Sequence, residues 1–162
     1  MRFFTGEFER GLDAKNRLQL PSDLRECIEP ERDGAGLYVT LGEHRGTLSL
    51  FTERAFHELA ARIETEFIAG PESLQFELQF YGLSSHVEMD KQGRFVLPER
   101  LVKKARLPEN VVLVGQKLRI DIWARDAYEK SLGIDWQGDE WPTNWQTFRR
   151  MRPSGPGSSG TP

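Results

Sequence analysis

Two β-type runs set the frame of this chain: Leu37-Tyr38-Val39-Thr40-Leu41 and Val111-Val112-Leu113-Val114. Each leads into a turn rich in glycine and charge, then into a second apolar run. Those runs are Leu48-Ser49-Leu50-Phe51 and Ile120-Asp121-Ile122-Trp123, so each pair predicts a hairpin. A helical start follows both, with Ala55-Phe56 matching Ala127-Tyr128. Thr52 suits the N-cap of TERAFHELAARIETEF, and Phe51 and Phe56 are spaced to staple across it. Phe56, Leu59, Ala60, Ile63 and Phe67 follow helical spacing and predict one core-facing stripe. PESLQFELQFYGL predicts a further helix. Arg94-Phe95-Val96-Leu97 alternates as a strand, which Pro98 ends while suiting the first turn of a helix; Pro21 does the same earlier.

These elements come in two sets because the chain repeats itself. LDAKNRLQLPSDL from Leu12 aligns with MDKQGRFVLPERL from Met89. Asp13 falls on Asp90, Arg17 on Arg94, Leu20 on Leu97, Pro21 on Pro98 and Leu24 on Leu101. The offset of 77 residues at this motif shortens to 72 at the aromatic position, which places a longer loop at Glu31 to Gly36, within PERDGAG. Each half reads as strand, turn, strand, short helix, strand, hairpin, strand, longer helix, an α+β unit. Neither half is large enough to bury its own strands well. The expectation is a pseudo-two-fold pair with strands interleaved in one core. The corresponding segments are 1–70, 71–132, a Trp-rich stretch 133–146, and a basic, Gly/Ser/Pro-rich tail 147–162 expected to be disordered.

Charge refines this picture only locally. The net charge of −3 excludes a surface that coats nucleic acid everywhere, but His86 to Arg106 carries six Lys/Arg against three Asp/Glu. From Met1 to Pro30 the balance is five against six. No apolar run reaches membrane-spanning length and MRFFTGEFER has no signal-peptide core, so a cytoplasmic protein is expected. Cys27 has no partner for an internal disulfide and reads as a small core residue. His44, His57 and His86 lack metal-ligand spacing with one another or with Cys27. No nucleophile motif or phosphate-binding glycine loop is present. No enzyme, metal, cofactor or small-molecule substrate is expected.

The repeated turn carries the chemistry. Asn16 and Gly93 hold the same place in the two copies and are the residue types that most readily take a positive φ. Asp13 and Asp90 can bond the N–H groups of their own turns, so these four residues shape the turns. Arg17 and Arg94 follow at the first strand position, and Lys15 adds a cation at the first tip. Two roles are open to each arginine. It can pair with its Asp across the turn, which contributes little at a surface. It can also point outward to phosphates and guanine edges, since Arg reads guanine O6 and N7 with two parallel bonds.

TGEFERGLDAKNRLQLPSDLR, VEMDKQGRFVLPERL and the hairpin ending in IDIW together resemble the MraZ family, from about Met1 to Tyr128. The doubled D-x-K-G-R motif with its following Pro carries the likeness, with the opening Phe4-Thr5-Gly6-Glu7. The resemblance implies two tandem SpoVT-AbrB-type swapped-hairpin modules, forming one pseudo-two-fold β-barrel core with flanking helices. It implies a nucleoid-associated transcriptional regulator, a repressor of the division and cell-wall gene cluster. Such proteins bind G-rich direct repeats in double-stranded DNA as homo-oligomeric rings. Carried onto this chain, the DNA contacts fall on Asp13, Lys15 and Arg17 and on Asp90 and Arg94. Two positions depart from the pattern: Asn16 replaces Gly, and Gln92 replaces Lys, leaving Lys91 as the adjacent cation. The first copy is therefore expected to be the stronger DNA reader, and the second to serve core and assembly more. The rival reading is an AbrB-like protein-interaction module whose arginines pair a partner's acids. In the Trp-rich stretch, surface or subunit packing competes with base stacking. Arg149, Arg150 and Arg152 read either as an inert tail or as extra phosphate attraction.

Overall fold

The computed structural model describes residues 2–66, 70–138, 147 and 149–151, with backbone only for 64–66. Met1–Tyr128 forms one compact unit and Glu129 onward a second. In the first unit the chain runs β1 (Glu7–Gly11), β2 (Arg17–Gln19), α1 (Ser22–Arg25), α2 (Pro30–Asp33), β3 (Gly36–Leu41), β4 (Leu48–Thr52) and α3 (Glu53–Glu66). It continues through α4 (Pro71–Gly82), β5 (Ser85–Glu88), β6 (Arg94–Val96), α5 (Glu99–Ala105), β7 (Asn110–Gln116) and β8 (Arg119–Ala124), and ends within α6 (Arg125–Leu132), whose residues from Glu129 belong to the second unit. The two hairpins, the short helices after Pro21 and Pro98, and the helices from Glu53 and Pro71 lie where the sequence pattern predicts them.

Six strands form one antiparallel sheet in the order β1-β7-β8-β4-β3-β5, and β2 and β6 form a separate two-stranded ribbon. The halves exchange strands. β1 of the first half pairs with β7 of the second, from Glu7↔Val114 to Gly11↔Asn110. Reciprocally, β5 of the second half pairs with β3 of the first. The two hairpins meet at β4 and β8, where Leu48 faces Ile122, Ser49 faces Asp121 and Leu50 faces Ile120. This register puts a local two-fold between Ser49 and Asp121. Ser49 Oγ donates to Asp121 Oδ1 there at 2.6 Å, and Arg119 Nε donates to the same oxygen at 3.0 Å, so the buried carboxylate is partnered.

The core draws on both halves because neither supplies an inner face alone. Leu18, Leu20, Leu24, Leu37, Leu48 and Leu50 pack with Phe95, Leu97, Leu101, Leu113, Ile120 and Ile122, each no more than 3% exposed. Cys27 is half-buried against this cluster. Thr52 caps α3 as expected, accepting from Ala55 N at 3.2 Å, and the Phe51 and Phe56 rings meet with centroids 6.2 Å apart. Phe80 of α4 stacks on Phe56 at 5.4 Å, which holds α4 to α3. Phe67 lies outside the described residues.

Two expectations need correction. The sheet does not close into a barrel: among the described residues no ladder joins β1 to β5. Both edge strands instead run through their turns into the ribbon, whose strands pair with each other. PERDGAG is not all loop, because Pro30 starts a one-turn helix. Asp33 Oδ2 accepts from Glu29 N at 2.9 Å, Arg32 pairs with Asp33, and Gly34 at φ +89° ends the turn. In the second unit Trp136 is exposed, and Met151 N–H donates to Thr147 O at 3.1 Å. Asp139, Glu140, Trp141 and Trp145, and Arg152 with the rest of the tail, lie outside the described residues.

Candidate nucleic-acid interface

The two repeated turns are built alike, atom for atom. In the first, Asn16 N–H donates to Asp13 O at 3.0 Å, and Asn16 takes φ +59°. Asp13 Oδ1 accepts from Lys15 N at 2.9 Å and from Arg17 N at 2.8 Å, while Oδ2 accepts Arg17 Nε at 2.6 Å. In the second, Gly93 N–H donates to Asp90 O at 3.0 Å, with Gly93 at φ +79°. Asp90 Oδ1 accepts from Gln92 N and Arg94 N, both at 2.9 Å, and Oδ2 accepts Arg94 Nε at 2.8 Å. One carboxylate thus closes each turn and holds its arginine. Asn16 reaches the backbone region that Gly93 reaches, as the residue types predict.

The Asp–Arg pairing is real, yet it does not use up the arginine. Both contacts are through Nε, and among the described residues no hydrogen bond occupies Nη1 or Nη2 of either guanidinium. The arginine side chains remain 61% and 60% exposed. The pair therefore fixes the guanidinium plane and leaves its outer edge, the edge that forms bidentate bonds, open to a ligand.

The same bonds set the acid limit of the turns. The backbone N–H of Arg17, then its side chain, hold the Asp13 carboxyl below the usual aspartate range; Arg94 does the same to Asp90. A carboxylate depressed in the folded state contributes stability above its unfolded pKa and loses it as pH falls through the folded value. Turn closure is therefore expected to be constant through neutral pH and to fail only below the ordinary aspartate range. In an acid titration followed by thermal unfolding, Asp13→Asn with Asp90→Asn should show a shallower fall of Tm than the parent.

The ribbon brings the two turns together. Arg17 pairs with Val96, Leu18 with Phe95 and Gln19 with Arg94. Leu20 N donates to Gly93 O and Leu97 N to Asn16 O, both at 2.8 Å, so each strand also clasps the opposite turn. With a period of two, Leu18 and Phe95 face the core while Arg17, Gln19, Arg94 and Val96 face out. Arg17, Gln19, Arg94 and Val96 line an open cleft of about 1040 Å³ together with Asp13, Glu88, Met89 and Asp90, and Leu18 and Phe95 also contribute to its wall. Lys15 and Lys91 are exposed at the turns beside this cleft and do not line it. The structure therefore unites Asp13, Arg17, Asp90 and Arg94 on one surface, with Asn16 and Gly93 as its hinges.

Two residues of this surface, and one beside the second turn, escape the motif. Gln19 and Val96 are signalled only by strand alternation from Arg17 and Arg94. Arg25 has no local signal, because its partner lies in the other half: a Cβ on Gly93 would lie 3.1 Å from Arg25 Cδ. His86, which has no metal-ligand spacing in the sequence, bonds Glu53 Oε1 of the first half at 2.7 Å. No group of three or more His, Cys, Asp or Glu among the described residues is placed to hold a metal. No described helix is long and apolar enough to cross a membrane.

A ribbon of this kind is one of the elements that the major groove of B-DNA admits. Comparison with known proteins agrees with the motif. Residues 80–133, which hold the second turn and the β7–β8 hairpin, match the family described as "MraZ protein, putative antitoxin-like". The transcriptional regulator MraZ of Mycoplasmopsis pulmonis is 32% identical over 124 residues, 76% of this chain and 80% of that protein. That of Coxiella burnetii is 31% identical over 139 residues, 86% of this chain and 90% of its own. The Cytophaga hutchinsonii protein of the same name is 29% identical over 132 residues, 82% and 86% of the two chains. With relatives 32% and 31% identical over 76% and 86% of its length, the chain belongs to the MraZ family.

Proposed function

We propose that this protein is a sequence-specific regulator of transcription and not an enzyme. It binds double-stranded DNA through the outer face of the β2–β6 ribbon, and represses the division and cell-wall gene cluster from G-rich direct repeats. The observation that carries this reading is the pair of arginines on one exposed ribbon, each held by Nε with its outer edge open. Arg17 and Arg94 would take guanine O6 and N7; Lys15 and Lys91, at the turns, would meet phosphates. The names of the relatives support the regulatory role. The location that follows is the cytoplasm, on the nucleoid.

The strand exchange between 1–70 and 71–132 supports two tandem modules of swapped-hairpin type. A homo-oligomeric ring of such subunits suits weak individual sites. Two arginines and a lysine or two make few contacts, but several subunits on spaced repeats act at high effective concentration. Exposed Leu74 and Leu78 on α4 supply apolar surface for assembly. They would equally serve a protein partner, which is the competing reading.

Fluorescence anisotropy separates the two. A labelled duplex with G-rich direct repeats should bind more tightly than a shuffled duplex, with a log–log salt slope of about −2 per engaged subunit for its two phosphate-facing lysines. Equal, weak binding to both duplexes would transfer the function to protein recognition.

A further inference from the structure

The two copies of the motif differ two positions beyond the arginine: residue 19 is Gln and residue 96 is Val. Both lie on the outer face of the ribbon, Gln19 opposite Arg94 and Val96 opposite Arg17. Gln19 is tied to the fold, since its Nε2 donates to Gln92 O at 3.0 Å and clamps the second turn. Val96 has no polar group for such a clamp and is 54% exposed. Directly opposed residues on one sheet face have Cβ atoms about 4.5–5.5 Å apart. An isopropyl group therefore stands beside the stem of Arg17, on a face otherwise made of charge and amide. A β-branched residue favours a strand, but Gln19 shows that the equivalent position of this ribbon does not require one.

In the major groove the match for arginine is guanine O6 and N7, and the distinctive apolar group is the 5-methyl of thymine. We infer that Val96 is a specificity-determining residue whose isopropyl group packs on the methyl of a thymine next to the guanine taken by Arg17. The inference rests on the DNA reading above and narrows its target. It also gives the face a direction. One end of the ribbon offers arginine with an apolar group, the other arginine with an amide. A pseudo-two-fold surface unequal in this way distinguishes the two orientations of its site, which suits direct rather than inverted repeats.

The test uses the full chain and duplexes carrying G-rich direct repeats flanked by thymine, compared with the same duplexes carrying deoxyuridine there. Deoxyuridine removes only the methyl group. The parent protein should bind the deoxyuridine duplex about fourfold more weakly per engaged subunit, the effect of one buried methyl. Val96→Gln copies the side chain already present at the equivalent position. It should still bind DNA and should treat the two duplexes alike. Equal binding of both duplexes by the parent, or a preference that survives in Val96→Gln, would overturn the role of Val96 and leave the DNA reading standing. Failure of the parent to bind any of these duplexes would overturn the DNA reading, and the role of Val96 with it.

Discussion

Arg17→Ala is expected to weaken binding to G-rich direct repeats by about 1 kcal/mol or more per engaged subunit, a factor of about five, because one bidentate guanine contact is lost. In an oligomer that engages several repeats together, the losses compound and the observed effect should be far larger. Stability should change little. The side chain is 61% exposed, and an exposed ion pair of this kind contributes little to folding. The turn itself keeps its Asp13 bonds to the backbone N–H groups of residues 15 and 17. Arg94→Ala should act in the same direction, because Arg94 is held in the same way on the same face. The expectation from sequence that the first copy reads DNA more strongly predicts a smaller loss for Arg94→Ala. Anisotropy titrations of both variants, with thermal unfolding as the control for folding, check these outcomes.

Leu18→Ala is expected to act through the fold instead. The ribbon has only three residues in each strand, and an isolated two-stranded pair is marginal in water. Its inner face holds it down: Leu18 is 2% exposed and faces Phe95, which is 3% exposed. Truncation of a buried leucine costs about 2–5 kcal/mol, against a total of about 5–15 kcal/mol for an ordinary domain. The urea midpoint of Leu18→Ala should therefore fall sharply, and DNA binding should fall with it although no DNA contact is removed. Leu18→Met nearly conserves volume, so it should restore most of both. A variant that kept full stability yet lost binding would contradict the anchoring role given to this residue.

Much of this surface can be read from the sequence, because its turns are local. Asp, a residue tolerant of positive φ, and Arg stand at fixed offsets, and the turn bonds join residues two to four apart. The hairpins and capped helices are legible for the same reason. What escapes is long-range. Arg25 meets Gly93, Gln19 bonds Gln92 and His86 bonds Glu53, all between halves, where only the interleaved strands bring the partners together. Barrel closure is a property of the two sheet edges, and no local pattern shows that β1 and β5 turn away into their own ribbon. The α2 turn escapes for another reason. Its Pro and Gly read as loop punctuation, whereas Pro30 opens the turn and Gly34 ends it.

The central claim is that the ribbon arginines read guanine in the major groove. Replacing the guanines of the repeats by 7-deazaguanine removes the N7 acceptor and leaves base pairing intact. The parent protein should lose about tenfold in affinity per engaged subunit, within the range of one bidentate contact. The Arg17→Ala, Arg94→Ala double variant, already weak, should lose almost nothing further. Indifference of the parent to the substitution, or an equal loss in the double variant, would contradict the claim.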